Sequence, residues 1–105
     1  MKKINSIEFK SISNKAIIVD FYSETCNPCQ LMMPIIEEME KFFGDKIDFY
    51  KIDVDDEYEL AESFNIVGLP TIALFDSNNK KLQLAGMRIK DKLRGNINKF
   101  FGIDI

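Results

Sequence analysis

Apolar positions along this chain change their period several times, and each change marks an element. Ala16-Ile17-Ile18-Val19-Asp20-Phe21-Tyr22 is a nearly continuous apolar run rich in β-branched residues, the pattern of a central strand covered on both faces. Met32, Ile35, Ile36, Met39, Phe42 and Phe43 then recur at helical spacing, which predicts a helix over Leu31 to Phe43 with one buried face, ended by Gly44. Lys46 to Asp53 partly alternates and reads as a second strand. Asp55 or Asp56 can cap a short helix through Phe64, with Leu60, Ala61 and Phe64 inward and Asn65 as a left-handed stop.

The last third reads as Thr71 to Phe75 and Lys81 to Ala85, two strands joined by Asp76-Ser77-Asn78-Asn79-Lys80, a loop of hairpin length. Ile89, Leu93, Ile97, Phe100 and Phe101 predict a final helix, weakened by Gly95. At the N-terminus, Ile4 to Phe9 is expected as a short strand and Lys10 to Asn14 as a helical turn. The resulting order β, α, β, α, β, β, α is a parallel βαβ unit followed by a hairpin. That predicts an α/β fold, a mixed central sheet with helices on both faces.

A chain of 105 residues, 46% of them apolar, fits a single domain over 1–105. The net charge of -3 comes from interspersed charges and leaves no basic stripe, so neither nucleic acid nor anionic lipid is an expected partner. Met1-Lys2-Lys3 could open a signal peptide, but Ile4-Asn5-Ser6-Ile7-Glu8 breaks any apolar run before it develops. The apolar stretches fall far short of the ~20 residues of a membrane span. A monomer in the cytoplasm is the expectation.

Two cysteines and no histidine narrow the chemistry, because every nucleophile–imidazole pair and every His-ligated metal site is excluded. A Cys26–Cys29 bridge would close a very short loop and add little stability through chain entropy, so the pair reads as chosen for reactivity. Cys26-Asn27-Pro28-Cys29 sits where the central strand hands over to the long helix. Unpaired backbone N–H groups and the positive end of the helix dipole would stabilise a thiolate at Cys26, the expected nucleophile. Pro28 suits the first helical turn, and Cys29 lies one turn deeper within bridging reach. The rival reading is half of a zinc site, which would need two more ligands from a second chain.

Val19-Asp20-Phe21, then Cys-x-Pro-Cys, then Pro34 within the helix, Lys51-Ile52-Asp53-Val54-Asp55, and Phe64-Asn65-Ile66-Val67-Gly68-Leu69-Pro70-Thr71 together resemble the thioredoxin family. The resemblance spans about Ala16 to Phe101. It implies a thioredoxin fold and a protein-disulfide oxidoreductase that uses no cofactor beyond its own redox-active disulfide. Cys26 would attack, Cys29 would resolve, and Asp20 would manage the proton of Cys29. Lys51 matches the lysine beside that aspartate, Pro70 matches a cis-proline opposite the cysteines, and the backbone of Leu69 would pair with an incoming peptide. Gly68 and Gly86 would border the same groove, with Thr25, Asn27 and Pro28 around the sulfur.

Read from the residues alone, Asp20 is expected to be buried among Ile18, Val19, Phe21 and Tyr22, whereas Lys51 either faces solvent or partners Asp20. Met32, Met33, Met39 and Phe49 are expected in the core, and the acidic run Asp53 to Glu59 as a solvated loop and helix start. Thr25 and Tyr22 stand where the family usually has tryptophans, and Asn27 where it usually has glycine. Partners implied are disulfide-containing proteins and a thioredoxin reductase, of a non-standard kind given those changes. A second reading is a binding module of the same fold whose cysteines are incidental.

Overall fold

The β-branched run at the start of the chain becomes the centre of the sheet. A computed structural model, which describes residues 1–12 and 15–105, places Ile17–Tyr22 (β2) with every residue buried. Strands β1 (Lys2–Lys3) and β3 (Asp48–Asp53) join it in parallel, β4 (Thr71–Phe75) pairs antiparallel with β2, and β5 (Lys81–Ala85) pairs antiparallel with β4. The strand order is β1-β3-β2-β4-β5. Helices α1 (Ser6–Ser11), α2 (Asn27–Phe43), α3 (Tyr58–Ser63) and α4 (Lys90–Phe101) complete the described elements.

Alternation along β2 splits the core into two layers. Ile18 faces a cluster built from Met32, Ile36, Met39 and Phe43 of α2 and Leu93 and Ile97 of α4. Ile17, Val19 and Phe21 face the other way, toward Ala61 of α3 and the rings of Phe9 and Phe64. Asp20 and Tyr22 share the parity of Ile18 and so belong to the face that α2 covers.

The hairpin strands fall at their expected bounds. Asp76 organises their connection by accepting from the N–H groups of Asn78 and Lys80 at 2.9 and 2.8 Å, and Asn79 takes a left-handed φ of 65°. Asn65 is also left-handed, at φ 57°, just after α3. Gly44 is the C-cap of α2, right-handed at φ -59° rather than left-handed, and its N–H donates to the Glu40 carbonyl at 2.8 Å. An added Cβ would lie 2.6 Å from that oxygen, which favours glycine there.

Several expectations are corrected. The expected strand Ile4 to Phe9 is instead α1 from Ser6, preceded by the two-residue β1. The reason is a capping box: the Asn5 side chain accepts from Glu8 N at 2.8 Å and the Glu8 carboxylate accepts from Asn5 N at 3.1 Å. The expected turn Lys10 to Asn14 is the end of this helix as far as Ile12, and its residues 13–14 lie outside the described residues. At α3, neither Asp55 nor Asp56 caps. Glu57 occupies the cap position without a side-chain cap bond, because these acids have other partners: Asp55 takes the Ser23 hydroxyl, Asp56 pairs with Lys3, and Glu57 takes the Ser6 N–H. Finally, Phe42 and Met33 are not core residues. Phe42 is exposed beneath the Arg94 guanidinium, 4.8 Å from its ring centre, and Met33 is half-buried.

Candidate active site

The end of β2, the start of α2 and the start of β4 meet at one end of the sheet. Cys26 is the N-cap of α2, in extended conformation, and Pro28 stands in the first turn. That geometry leaves the Cys29 N–H without a helical partner, and it donates to Cys26 Sγ at 3.2 Å. The two sulfurs are bonded to each other across a Cα–Cα distance of 5.2 Å. Cys29 is fully buried while Cys26 is half-buried, so only the first sulfur is open to another molecule. Asn27 and Pro28 are exposed beside it.

Asp20 lies in the centre of β2 at 1% exposure, and neither carboxylate oxygen has a hydrogen-bond partner. Burial pushes its carboxyl up to about 7, and the positive charge of Lys51 pulls in the opposite direction. Lys51 is the cross-strand neighbour of Asp20 in the β2·β3 register and is half-buried, but its ammonium sits over the Tyr22 ring, 5.6 Å from the centroid. Both sequence alternatives for Lys51 therefore give way to an intermediate one. It acts on Asp20 through its field and rests its cation on an aromatic face.

Pro70 follows a cis peptide bond from Leu69. It immediately precedes Thr71, whose register partner is Phe21, so it stands beside the end of β2 from which the cysteine turn departs. Its carbonyl accepts from Gly86 N at 2.8 Å, and Gly86 takes φ 85°, a conformation open to glycine and strained for most other residues. Thr71 Oγ1 donates to the Gly68 carbonyl at 2.6 Å, which closes the turn before β4. On the other side of Leu69, a cavity of about 300 Å³ opens between α3 and residues 66–69, with Val67 almost fully exposed at its rim. Arg88 N reaches Met32 Sδ at 3.4 Å, which ties the segment after Gly86 to α2.

Thr25 is exposed, but its hydroxyl is 3.1 Å from Ser23 Oγ. Ser23 itself is buried and bonded to Asp55, a pairing that the residue-by-residue reading missed. No period or motif flags a serine at a strand end. Among the described residues no three His, Cys, Asp or Glu side chains cluster as a metal ion would require.

Comparison with known proteins gives a consistent set of relatives. The family model described as Thioredoxin matches residues 1–99. Thioredoxin of Borreliella burgdorferi is 33% identical over 98 residues, covering 93% of this chain and 84% of the relative. Thioredoxin of Rickettsia typhi is 32% identical over 102 residues, covering 94% and 97% of the two chains. Among solved structures, Malassezia sympodialis thioredoxin superposes with a TM-score of 0.84 at 29% identity, covering 94% of this chain and 89% of that one. Chloroplastic thioredoxin z has a TM-score of 0.85 at 24% identity over 97% of this chain and 95% of that one, a likeness of fold.

Proposed function

The chain belongs to the thioredoxin family and is a thiol–disulfide oxidoreductase, and from this membership we propose that it reduces protein disulfides by exchange through Cys26 and Cys29. In the reduced protein the Cys26 thiolate attacks one sulfur of a target disulfide. A mixed disulfide forms and a target thiolate leaves. Cys29 then gives its proton to Asp20 and attacks Cys26 Sγ, which restores the Cys26–Cys29 bridge and releases the second target sulfur. Two electrons pass from the dithiol to the target.

The observation that carries this reading is the bridged pair at the start of α2 on the sheet face that also holds a buried, unpartnered carboxylate. An acid whose pKa lies near 7 can take and return a proton at neutral pH. Lys51 tunes that acid, while Gly68, Leu69, Pro70 and Gly86 form the edge along which the target chain lies, with Thr25, Asn27 and Pro28 around the sulfur. A cytoplasmic monomer contributing to redox homeostasis, recharged by a reductase suited to Thr25 and Asn27, is the cellular role that follows. Insulin reduction driven by dithiothreitol tests the activity: the wild-type protein should accelerate precipitation of the B chain, and Cys26→Ser should not. No acceleration by the wild type would remove the proposal.

A further inference from the structure

We propose that Ser23, anchored on Asp55, is a positioning residue that holds the Thr25–Cys26 turn in its reactive geometry. The inference rests on reading Cys26 as the attacking thiol. Ser23 is the residue immediately after β2, and its exposure of 5% leaves little room for water to replace a lost partner. Its hydroxyl donates to Asp55 Oδ2 at 2.7 Å, a bond strengthened by the charge of the acceptor. With that proton committed, Ser23 Oγ accepts from Thr25 Oγ1 at 3.1 Å and from Thr25 N at 3.4 Å. The Ser23 carbonyl accepts from Cys26 N at 3.2 Å and from Gln30 Nε2 at 3.3 Å. One serine therefore contacts Thr25, Cys26 and the first turn of α2 at once.

Asp55 is itself fixed. Its N–H donates to Asp53 Oδ1 at 2.9 Å, and the adjacent Val54 N donates to the Tyr22 carbonyl at 2.9 Å, which locks the end of β3 to the end of β2. The Ser23 hydroxyl thus ties Thr25 to the end of β3, while the carbonyl of the same residue holds Cys26 and Gln30. Its alignment matters because the Cys29 N–H reaches Cys26 Sγ only across this turn, and that donor favours the thiolate in the reduced protein. Small displacements of reacting groups are costly in rate.

The test is the pH profile of Cys26 alkylation by iodoacetamide, a reagent too small to depend on the peptide groove, measured with reduced protein alongside insulin reduction. Ser23→Ala should move the alkylation midpoint up by about one pH unit and slow attack on a protein disulfide at pH 7 about tenfold, equivalent to about 1.4 kcal/mol. Asp55→Val should reproduce both effects, and because Asp55 is exposed this variant serves even if Ser23→Ala folds poorly. Asp55→Asn keeps an acceptor oxygen and should stay close to wild type. The Ser23→Ala/Asp55→Val double variant should lose no more than either single one. Unchanged profiles in both single variants, additive losses in the double, or Asp55→Asn as impaired as Asp55→Val would each overturn the proposal. Full insulin reductase activity in Cys26→Ser would instead overturn the assignment of the attacking thiol on which it rests.

Discussion

Asp20 and Lys51 face each other across the β2·β3 pair, yet the lysine ammonium lies over the Tyr22 ring and the carboxylate keeps no hydrogen-bond partner. A buried acid without a direct cation holds its proton more tightly than a salt-bridged one, because desolvation outweighs the more distant attraction. The arrangement preserves a titratable group in the core at the expense of stability.

That expense has a pH dependence. Folded Asp20 keeps its proton up to about pH 7, whereas the unfolded group loses it near 3.8, so between these values the folded state binds more protons and stability falls as pH rises. Asp20→Asn removes the loss. The oxidised variant should match wild type near pH 3 and exceed it by roughly 4 kcal/mol at pH 8, as read by urea unfolding. Lys51→Met, which removes the attraction, should move the upper end of this window to higher pH. Parallel stability curves for wild type and Asp20→Asn would contradict the account.

Gly95 sits inside α4, exposed, and a Cβ there would meet nothing within 4 Å. Gly95→Ala should therefore stabilise the protein by about 1 kcal/mol through helix propensity alone, with no change in reductase activity. Urea titration checks the first statement and insulin reduction the second. A destabilised variant would mean that the helix is held in a geometry alanine cannot share.

Recognition by a conventional bacterial thioredoxin reductase should be poor, because Thr25 offers a small hydroxyl turned toward Ser23 in place of a large ring beside the sulfur. Aromatic anchors at interfaces are commonly worth about 2 kcal/mol or more, roughly thirtyfold in affinity. Thr25→Trp/Asn27→Gly should raise turnover in an NADPH-oxidation assay with that enzyme, while reduction of both proteins by dithiothreitol remains fast. Equal, efficient turnover of both would return the chain to the role of a general thioredoxin.

How much of this was legible beforehand follows from the physics of each segment. The periodic segments were readable: β2, β4 and β5 ended within a residue of where β-branched runs and turn residues placed them, and the helical spacing from Met32 to Phe43 located the body of α2. The helix begins at Asn27, four residues before the expected Leu31, because its first turn carries no apolar period. Local side-chain competition was harder. Asn5 and Glu8 form a reciprocal cap that turns an expected strand into α1, and the three acids before α3 are drawn to Ser23, Lys3 and Ser6, partners distant in sequence. The cysteine pair and the burial of Asp20 were visible in residue pattern. The cis bond at Pro70 came only from the family resemblance, and the Ser23–Asp55 contact joins residues 32 apart that no spacing rule connects.

The division of labour between the two sulfurs is the central claim, and mixed-disulfide trapping tests it most directly. With Cys29→Ser the attack by Cys26 can proceed but the second exchange cannot, so covalent complexes should accumulate with a disulfide-bonded target protein. Peptide mapping should place every such bond on Cys26, dithiothreitol should release the target, and Cys26→Ser should trap nothing. Equal trapping by both single variants, or wild-type reductase activity retained in each, would contradict the dithiol mechanism.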